Sequence, residues 1–246
     1  MTRFVRLLVF AASILALVTP SRAEESVDLL LVLASDVSRS VDTRKFQLQR
    51  EGYAAALSNP RVVDAIRSGP HGRIAICFVE WSGVTSQKLV IDWTIVSDAA
   101  SARKIGDQLI ELPRAFADRT SISAGIEFAM SQLERAPYRG VRRTIDVSGD
   151  GTNNSGRDVT LARDEALAKG VTINGLVILS DSPLPWNPEH TNPPGGLDGY
   201  YRNNVIGGAG AFVMVAENHN SFGQAIVKKM IAEIAWAEPE RPLFLR

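Results

Sequence analysis

The sequence predicts an α/β fold: a doubly wound, mostly parallel sheet with helices on both faces and one antiparallel edge strand. Five stretches are nearly continuous runs of apolar residues, rich in Val, Ile and Leu, as in strands that are buried on both faces. Most of these runs are separated by segments with helical spacing, the order typical of a parallel sheet. A sixth strand-like run follows the second after only "SGVT", a connection short enough for a hairpin.

The elements can be placed along the chain from these patterns. Helical spacing begins at residue 97, where Ser97 is a good N-cap, and another helical segment stops at Gly170, a typical C-terminal residue. The predicted strands are 27–35, 73–81, 86–94, 144–149, 171–179 and 210–216. The predicted helical segments are 43–66, 97–112, 121–136, 158–170 and about 221–236.

The segment 180–210 is rich in Pro, Gly and Asn and contains Trp186, Tyr200 and Tyr201. A loop of that length in a compact domain is usually functional or a self-packed lid. Its aromatic side chains therefore have two possible roles, as a recognition surface or as packing against the core.

The first 23 residues have the pattern of a secretory signal. Arg3 and Arg6 precede an apolar stretch at 7–18, and the small residues Ser21 and Ala23 suit a signal peptidase. The stretch is shorter than the ~20 residues of a membrane-spanning helix, which favours cleavage. We therefore expect a signal peptide at 1–23, one domain at 24–240, a tail at 241–246, and a mature protein that is periplasmic or secreted.

The composition excludes some classes of partner. With 27 basic and 27 acidic residues, the chain has no net charge to attract nucleic acid or an anionic membrane surface. The only cysteine, Cys77, lies in an apolar strand-like run, so an intrachain disulfide is impossible and a buried core position is expected.

Polar residues follow two of the predicted strands and precede one helix. Asp36, Ser38 and Ser40 come after the first strand, Asp150 follows the strand at 144–149, and Thr120 precedes the helix at 121–136. Ligands of open parallel sheets bind beyond the carboxyl ends of the strands, and Mg²⁺ prefers oxygen donors. The same residues also suit plainer roles, as helix caps for the hydroxyls and as a turn residue for the aspartate.

Three motifs are similar to the metal-ion-dependent adhesion site of von Willebrand factor type A domains. "DVSRS" at 36–40 resembles its D-x-S-x-S part, "RTSISAGI" its helix-opening threonine, and "VSGDG" its aspartate–glycine turn. The resemblance covers about 26–237. More narrowly, "FVEWSG", "IDVSGDGTNNSGRD" and "GAFVMVAEN" resemble an exported bacterial family of unknown function that has this domain alone.

The resemblance implies roles for the matched residues. The hydroxyls of Ser38, Ser40 and Thr120 would touch Mg²⁺, or Mn²⁺ or Ca²⁺, and Asp36 and Asp150 would bind it directly or through water. A partner's glutamate or aspartate would complete the coordination. The chain departs from the family pattern before the threonine, where residues 117–119 read "ADR" and glycines are common.

The expected function is therefore cation-dependent binding of a protein or an acidic ligand. A metal-dependent hydrolase that uses the same open cation, or a structural domain with a vestigial site, are the alternatives. No catalytic nucleophile or acid–base constellation is recognisable, because G-x-S-x-G and P-loop motifs are absent and His71, His190 and His219 lack paired metal spacing. We therefore do not predict an enzyme.

Two further carboxylates need partners or a place at the surface. Asp146 lies on a predicted buried strand, where an unpaired charge is costly, so we expect a pair with Arg142 or Arg143. Glu80 ends the second strand, where it either supports the site from behind or lies on its rim.

Overall fold

The computed structural model describes residues 24–180 and 184–235, which contain one six-stranded sheet. The predicted signal peptide at 1–23, the tail at 241–246 and residues 236–240 lie outside the described part of the chain. The strands are β1 Glu25–Asp36, β2 Ile74–Trp81, β3 Gln87–Val96, β4 Tyr138–Gly149, β5 Thr172–Ile178 and β6 Val213–Ala216.

The sheet has the order β3-β2-β1-β4-β5-β6. All neighbouring pairs are parallel except β2 and β3, which form the antiparallel hairpin at the edge. The predicted fold class is therefore confirmed. The strand order reverses between β1 and β4, and this is the point in such sheets where a crevice opens beyond the carboxyl ends.

Two predicted helix features are wrong. The segment 43–66 is two helices, because Asn59 caps a new helix that starts at Pro60, a residue without the N–H that a continuous helix needs. The third helix is capped by Asp98 rather than Ser97, in a capping box with Ser101. The helices are α1 Thr43–Leu57, α2 Pro60–Arg67, α3 Ala99–Glu111, α4 Ile122–Glu134, α5 Val159–Ala168, α6 Pro188–Thr191, α7 Leu197–Asn204 and α8 Phe222–Ile234.

Both faces of the sheet are covered by helices, which explains the unbroken apolar runs of its central strands. The core on one face includes Tyr53 of α1 and Phe222 of α8. The core on the other face includes Ile126 of α4 and Tyr201 of α7, together with the fully buried Cys77, as predicted. None of the described helices has the length and apolar character needed to cross a bilayer.

The segment predicted as a long loop contains α6 and α7 and packs over the end of the sheet. Tyr201 is fully buried and Tyr200 packs against the core, so the packing interpretation holds for both tyrosines. Trp186, in contrast, is 79% exposed. Residues 184–205 are called the lid segment below.

Candidate metal centre

The five residues predicted as metal ligands lie at the crevice between β1 and β4. Asp36 is the last residue of β1 and Asp150 follows β4, and the two strands are parallel neighbours with Ser35 opposite Ser148. Thr120 enters from the start of α4, where the backbone N–H of Ser121 donates to the carbonyl of Ser82 at 2.7 Å. The topology therefore places residues from three separate loops at one end of the sheet.

Four of these residues form one hydrogen-bonded group. The Ser40 hydroxyl donates to Asp150 Oδ1 at 2.5 Å and lies 3.1 Å from the Ser38 hydroxyl. The backbone N–H of Ser38 donates to Asp36 Oδ1 at 2.6 Å. Asp36, Ser38 and Asp150 are buried and Ser40 is half-buried, so the group meets solvent mainly on the Ser40 side.

Thr120 is buried beside this group and is held by the loop that follows Asp150. Asn154 Oδ1 accepts from the backbone N–H of Thr120 at 3.0 Å, and the Thr120 carbonyl accepts from the backbone N–H groups of Asn154 and Ser155. The Thr120 hydroxyl lies 3.2 Å from Nε2 of His190 in the lid segment. Hydrogen bonds to the Thr120 backbone therefore hold the loop that carries Thr120 against the loop that follows Asp150.

Helix capping, the plainer role for these hydroxyls, belongs to other residues. Asp42 caps α1 and Ser121 caps α4, each through a side-chain oxygen that accepts a backbone N–H three residues later, at 2.9 and 3.4 Å. The helix ends are thus satisfied without the hydroxyls of Ser38, Ser40 and Thr120.

Negative charge is concentrated here with little compensation. Asp36 Oδ2 and Asp150 Oδ2 are buried and have no hydrogen-bond partner. The ammonium of the partly exposed Lys45 lies 3.6 Å from Asp150 Oδ2 and donates to the Ser40 carbonyl. Burial, together with the charge of Asp150, raises the pKa of Asp36 to about 7. A cation bound at this position would lower the pKa of Asp36 and reduce the repulsion between the two carboxylates.

The donor set fits a small divalent cation. Two carboxylates and three hydroxyls are hard oxygen donors, and adjacent ligands of an octahedral ion at about 2.1 Å lie about 3 Å apart. The Ser38–Ser40 and Ser40–Asp150 oxygen separations of 3.1 and 2.5 Å are close to that spacing. Among the described residues, no three His, Cys, Asp or Glu side chains are grouped as a metal site, so hydroxyls and water would supply much of the coordination.

Glu80 lies buried behind the site and not on its rim. It is fully buried, its Oε1 accepts from Arg50 at 2.6 Å, and its Oε2 accepts from the backbone N–H of Ala115 at 2.8 Å. The neighbouring Arg114 donates to the carbonyls of Val37 and Ser38 at 2.5 and 2.7 Å. These contacts fix the backbone that carries the D-x-S-x-S motif against the loop before Thr120.

The predicted partner of Asp146 is wrong. Its carboxylate lies 2.7 Å from Nζ of Lys229 on α8, and neither side chain is exposed. Arg142 instead donates to carbonyls at the end of α8, and Arg143 donates to the Lys169 carbonyl. Lys229 is 83 positions away in an apolar helix, and no local pattern indicated that it turns towards the sheet.

Three residues near the site, His190, Lys45 and Tyr201, were not among its predicted residues. His190 contacts Thr120, Lys45 lies beside Asp150, and a Cβ built on Gly149 would lie 2.5 Å from the Tyr201 hydroxyl and 3.2 Å from Asp36 Oδ2. His190 and Tyr201 come from the lid segment, whose sequence does not indicate which parts of the chain it contacts. Of the three, only Lys45 could have been placed near the site from the sequence, because it follows the D-x-S-x-S motif closely.

The unusual residues before Thr120 face a cleft. Arg119 is exposed and lines a cleft of about 370 Å³ with Arg39 and Trp186, beside Ser40 and Thr120. Asp118 lies 3.9 Å from the Arg39 guanidinium. The departure from the common glycine pattern therefore adds a guanidinium to the open side of the site.

Comparison with known proteins identifies one family. Residues 26–238 match the profile of a family described as "Protein of unknown function (DUF1194)". A search of curated proteins found no match.

Solved structures show the fold at low sequence identity. Proximal thread matrix protein 1 from the mussel byssus has a TM-score of 0.58 at 16% identity over 86% of this chain and 47% of its own. A von Willebrand factor type A protein from Catenulispora acidiphila has a TM-score of 0.54 at 13% identity, over 85% and 43% of the two chains. An aerotolerance-related membrane protein from Bacteroides fragilis has a TM-score of 0.50 at 19% identity, over 83% and 99%.

These likenesses show that the fold is that of von Willebrand factor type A domains. The chain spans about half the length of the first two proteins. A further structure of the mussel protein, 15% identical with a TM-score of 0.58, is described as having a zinc-occupied MIDAS motif, the metal-ion-dependent adhesion site.

Proposed function

This chain belongs to the DUF1194 family, and we propose that it is an exported module whose binding to a protein or an acidic ligand depends on a divalent cation. The cation is Mg²⁺, Mn²⁺ or Ca²⁺. The residues that hold it are Asp36, Ser38, Ser40, Thr120 and Asp150.

One observation carries this proposal: two buried carboxylate oxygens, on Asp36 and Asp150, have no hydrogen-bond partner and lie within one group of hydroxyls. Burial of a carboxylate without a partner is costly, so two such carboxylates close together favour the binding of a cation. The helix caps are satisfied elsewhere, which leaves cation binding as the role that uses all five residues.

The chain's own residues would keep the donors in place. Arg114 holds the backbone between Asp36 and Ser40, and Asn154 holds Thr120 against the loop after Asp150. When bound, a cation with so few charged ligands stays electrophilic and offers a position to a carboxylate from outside.

The surface beside the site suits an acidic partner. Arg39 and Arg119 are exposed on the cleft next to Ser40 and Thr120, and Trp186 adds an exposed apolar surface. Positive charge next to the binding position would steer an acidic segment towards the cation and favour it over neutral ones.

Isothermal titration of the cation-free protein with Mg²⁺ and Mn²⁺ tests cation binding. We expect one site in the wild type and none in Asp36→Ala. Asp107→Ala, which removes an exposed carboxylate from α3, is the matched control and should bind normally. The proposal fails if the wild type binds neither ion, or if Asp36→Ala binds as well as the control.

A pull-down from the exported protein fraction tests partner binding. A partner that uses the cation should be retained by the wild type in Mg²⁺, lost in EDTA, and lost with Asp36→Ala in either buffer. Arg119→Ala should weaken retention without changing Mg²⁺ affinity in titration. Retention that is equal in Mg²⁺ and EDTA would contradict the cation-dependent mode.

A further inference from the structure

Arg119, directly before the candidate ligand Thr120, has a guanidinium without a partner. Its side chain is exposed, and no hydrogen bond or ion pair joins the guanidinium to the residues that the structure describes. The backbone before it is fixed, because the carbonyl of Asp118 accepts from the backbone N–H of Arg39 at 2.9 Å. The backbone after it is fixed by Asn154, which accepts from the N–H of Thr120 at 3.0 Å. Arg119 therefore brings a free positive charge to a fixed position beside the site.

Other charges on the cleft beside the site do not neutralise Arg119. Asp118 is the one carboxylate among the described residues that line this cleft, and its Oδ1 lies 3.9 Å from the guanidinium of Arg39. One carboxylate can offset only one of the two guanidiniums. Because the two aspartates of the site would balance a bound divalent ion, one positive charge on the cleft is left for a partner.

The size of the cleft suits a few residues of a partner. Its volume is about 370 Å³, and Leu184 and Trp186 of the lid segment add apolar surface to its walls. Apolar walls reduce the screening of charges by water, so an ion pair formed here is stronger than one on an open surface. Arg119 is thus placed to hold a carboxylate of a partner.

We propose that the partner presents an extended segment with two acidic residues at alternate positions, one of which binds the cation while the other pairs with Arg119. The inference rests on the proposed function and specifies its partner. Alternate residues of an extended chain point to the same side and lie about 6.6 Å apart. Arg119 directly precedes Thr120, so a guanidinium at this position reaches the neighbour of a residue bound to the cation. It can hold that carboxylate through two parallel hydrogen bonds.

NMR titration of the ¹⁵N-labelled wild-type protein at saturating Mg²⁺ tests the second contact with three synthetic peptides, blocked at both ends. The first, Gly-Glu-Ala-Glu-Ala-Ala-Ala-Gly, has its acidic residues at alternate positions. The second, Gly-Glu-Ala-Ala-Ala-Ala-Glu-Gly, has the same composition with the glutamates far apart. The third, Gly-Glu-Ala-Gln-Ala-Ala-Ala-Gly, has one acidic residue. We expect the first peptide to bind about fivefold more tightly than either of the others.

Arg119→Gln shows whether this preference comes from Arg119. The variant should bind all three peptides equally within about twofold, whereas Arg103→Gln, which removes an exposed guanidinium from α3, should keep the wild-type preference. Equal binding of the three peptides by the wild type, or a preference that survives in Arg119→Gln, would overturn this inference.

Calorimetric titration with Mg²⁺ in the absence of peptide separates this inference from the proposed function. Normal Mg²⁺ binding without Mg²⁺-dependent binding of any peptide would overturn the inference and leave the cation site standing. Absence of Mg²⁺ binding by the wild type would instead overturn the proposed function.

Discussion

Asp146 and Asp150 lie on one strand and its exit loop, yet their charges are compensated in different ways. Asp146 lies 2.7 Å from the ammonium of Lys229, and both side chains are fully buried. Lys229 also pairs with Glu233, which accepts from Asn174 at 2.9 Å. The interior of the sheet therefore contains a permanent cation supplied by the chain.

At the carboxyl end of the same strand the compensation is incomplete. The ammonium of Lys45 lies 3.6 Å from Asp150 Oδ2 and is partly exposed, and the fully buried Asp36 has no ion-pair partner among the described residues. A buried pair whose ammonium belongs to the chain contributes to one folded state, whereas a less compensated pair beside solvent suits a cation that exchanges. This difference separates a structural charge cluster from a candidate binding site.

Removal of the interior cation should have the largest effect. Lys229→Met leaves Asp146 and Glu233 buried without their ammonium, so the free energy of unfolding should fall by about 3–5 kcal/mol in urea titration. Mg²⁺ should not restore the loss, because the interior cluster has no opening for an exchangeable ion.

Lys228→Met is the matched control, since Lys228 is the exposed neighbour on α8. It should change the free energy of unfolding by no more than about 0.5 kcal/mol. Equal effects of the two substitutions would show that Lys229 does not compensate the interior carboxylates.

Asp36 should make the cation-free protein sensitive to pH. Its pKa is about 7 in the folded state, against 3.8 for an unperturbed aspartate, so the folded state binds the proton more tightly than the unfolded chain does. Stability from this group is therefore highest below about pH 4 and decreases as pH rises towards 7. Asp36→Asn removes the titration, and in EDTA at pH 8 it should be more stable than wild type by on the order of a few kcal/mol.

The difference between Asp36→Asn and wild type should disappear near pH 4. Urea unfolding in EDTA from pH 4 to 8 measures it, with Asp107→Asn as the exposed control. A variant less stable than wild type at pH 8 would mean that Asp36 is already compensated within the chain, as Asp146 is.

Thr120 and Ser121 are adjacent, but we expect Thr120 to bind the cation and Ser121 to cap α4. Ser121 caps α4, so Ser121→Ala should lower stability by about 1 kcal/mol and leave Mg²⁺ affinity unchanged. Thr120→Val should lower Mg²⁺ affinity several-fold, and it also removes the buried contact of the Thr120 hydroxyl with His190, so stability in EDTA should fall by about 1 kcal/mol. Urea unfolding and calorimetry on both variants check this, and weaker Mg²⁺ binding by Ser121→Ala with unchanged binding by Thr120→Val would reverse the assigned roles.

Lys45 should have the smallest effect. Its ammonium near Asp150 repels an incoming cation by about 1 kcal/mol at an exposed position, so Lys45→Met should tighten Mg²⁺ binding about fivefold in low salt. The gain should shrink at 1 M salt because exposed charges are screened. Lys104→Met on α3 is the control, and weaker Mg²⁺ binding by Lys45→Met would indicate that Lys45 helps to hold the site.

The fold was predictable because its strongest signals are local and repeated. The six apolar runs and the short "SGVT" turn were sufficient to predict the strands and the antiparallel edge. The break at Asn59 was missed because apolar spacing continues through it, although Pro60 marks it chemically. The cap at Asp98 was missed because Ser97 is an equally good cap by residue type.

The candidate site was predictable only in part, for a physical reason. Its oxygen donors follow strand ends, and the topology then brings them together. Contacts at the site and in the strand behind it come from distant segments: Lys229 of α8 pairs with Asp146, and His190 of the lid segment contacts Thr120. Such contacts depend on how α8 and the lid segment pack against the sheet, and no spacing rule along the chain encodes that packing.

The stability of the wild-type protein in Mg²⁺ and in EDTA tests most directly whether Asp36 and Asp150 bind an exchangeable cation. At a Mg²⁺ concentration 100 times the dissociation constant, the free energy of unfolding should rise by about 2.7 kcal/mol. The rise should be absent in Asp36→Ala and fully present in Asp107→Ala. An unchanged wild type, or an equal rise in Asp36→Ala, would contradict the account.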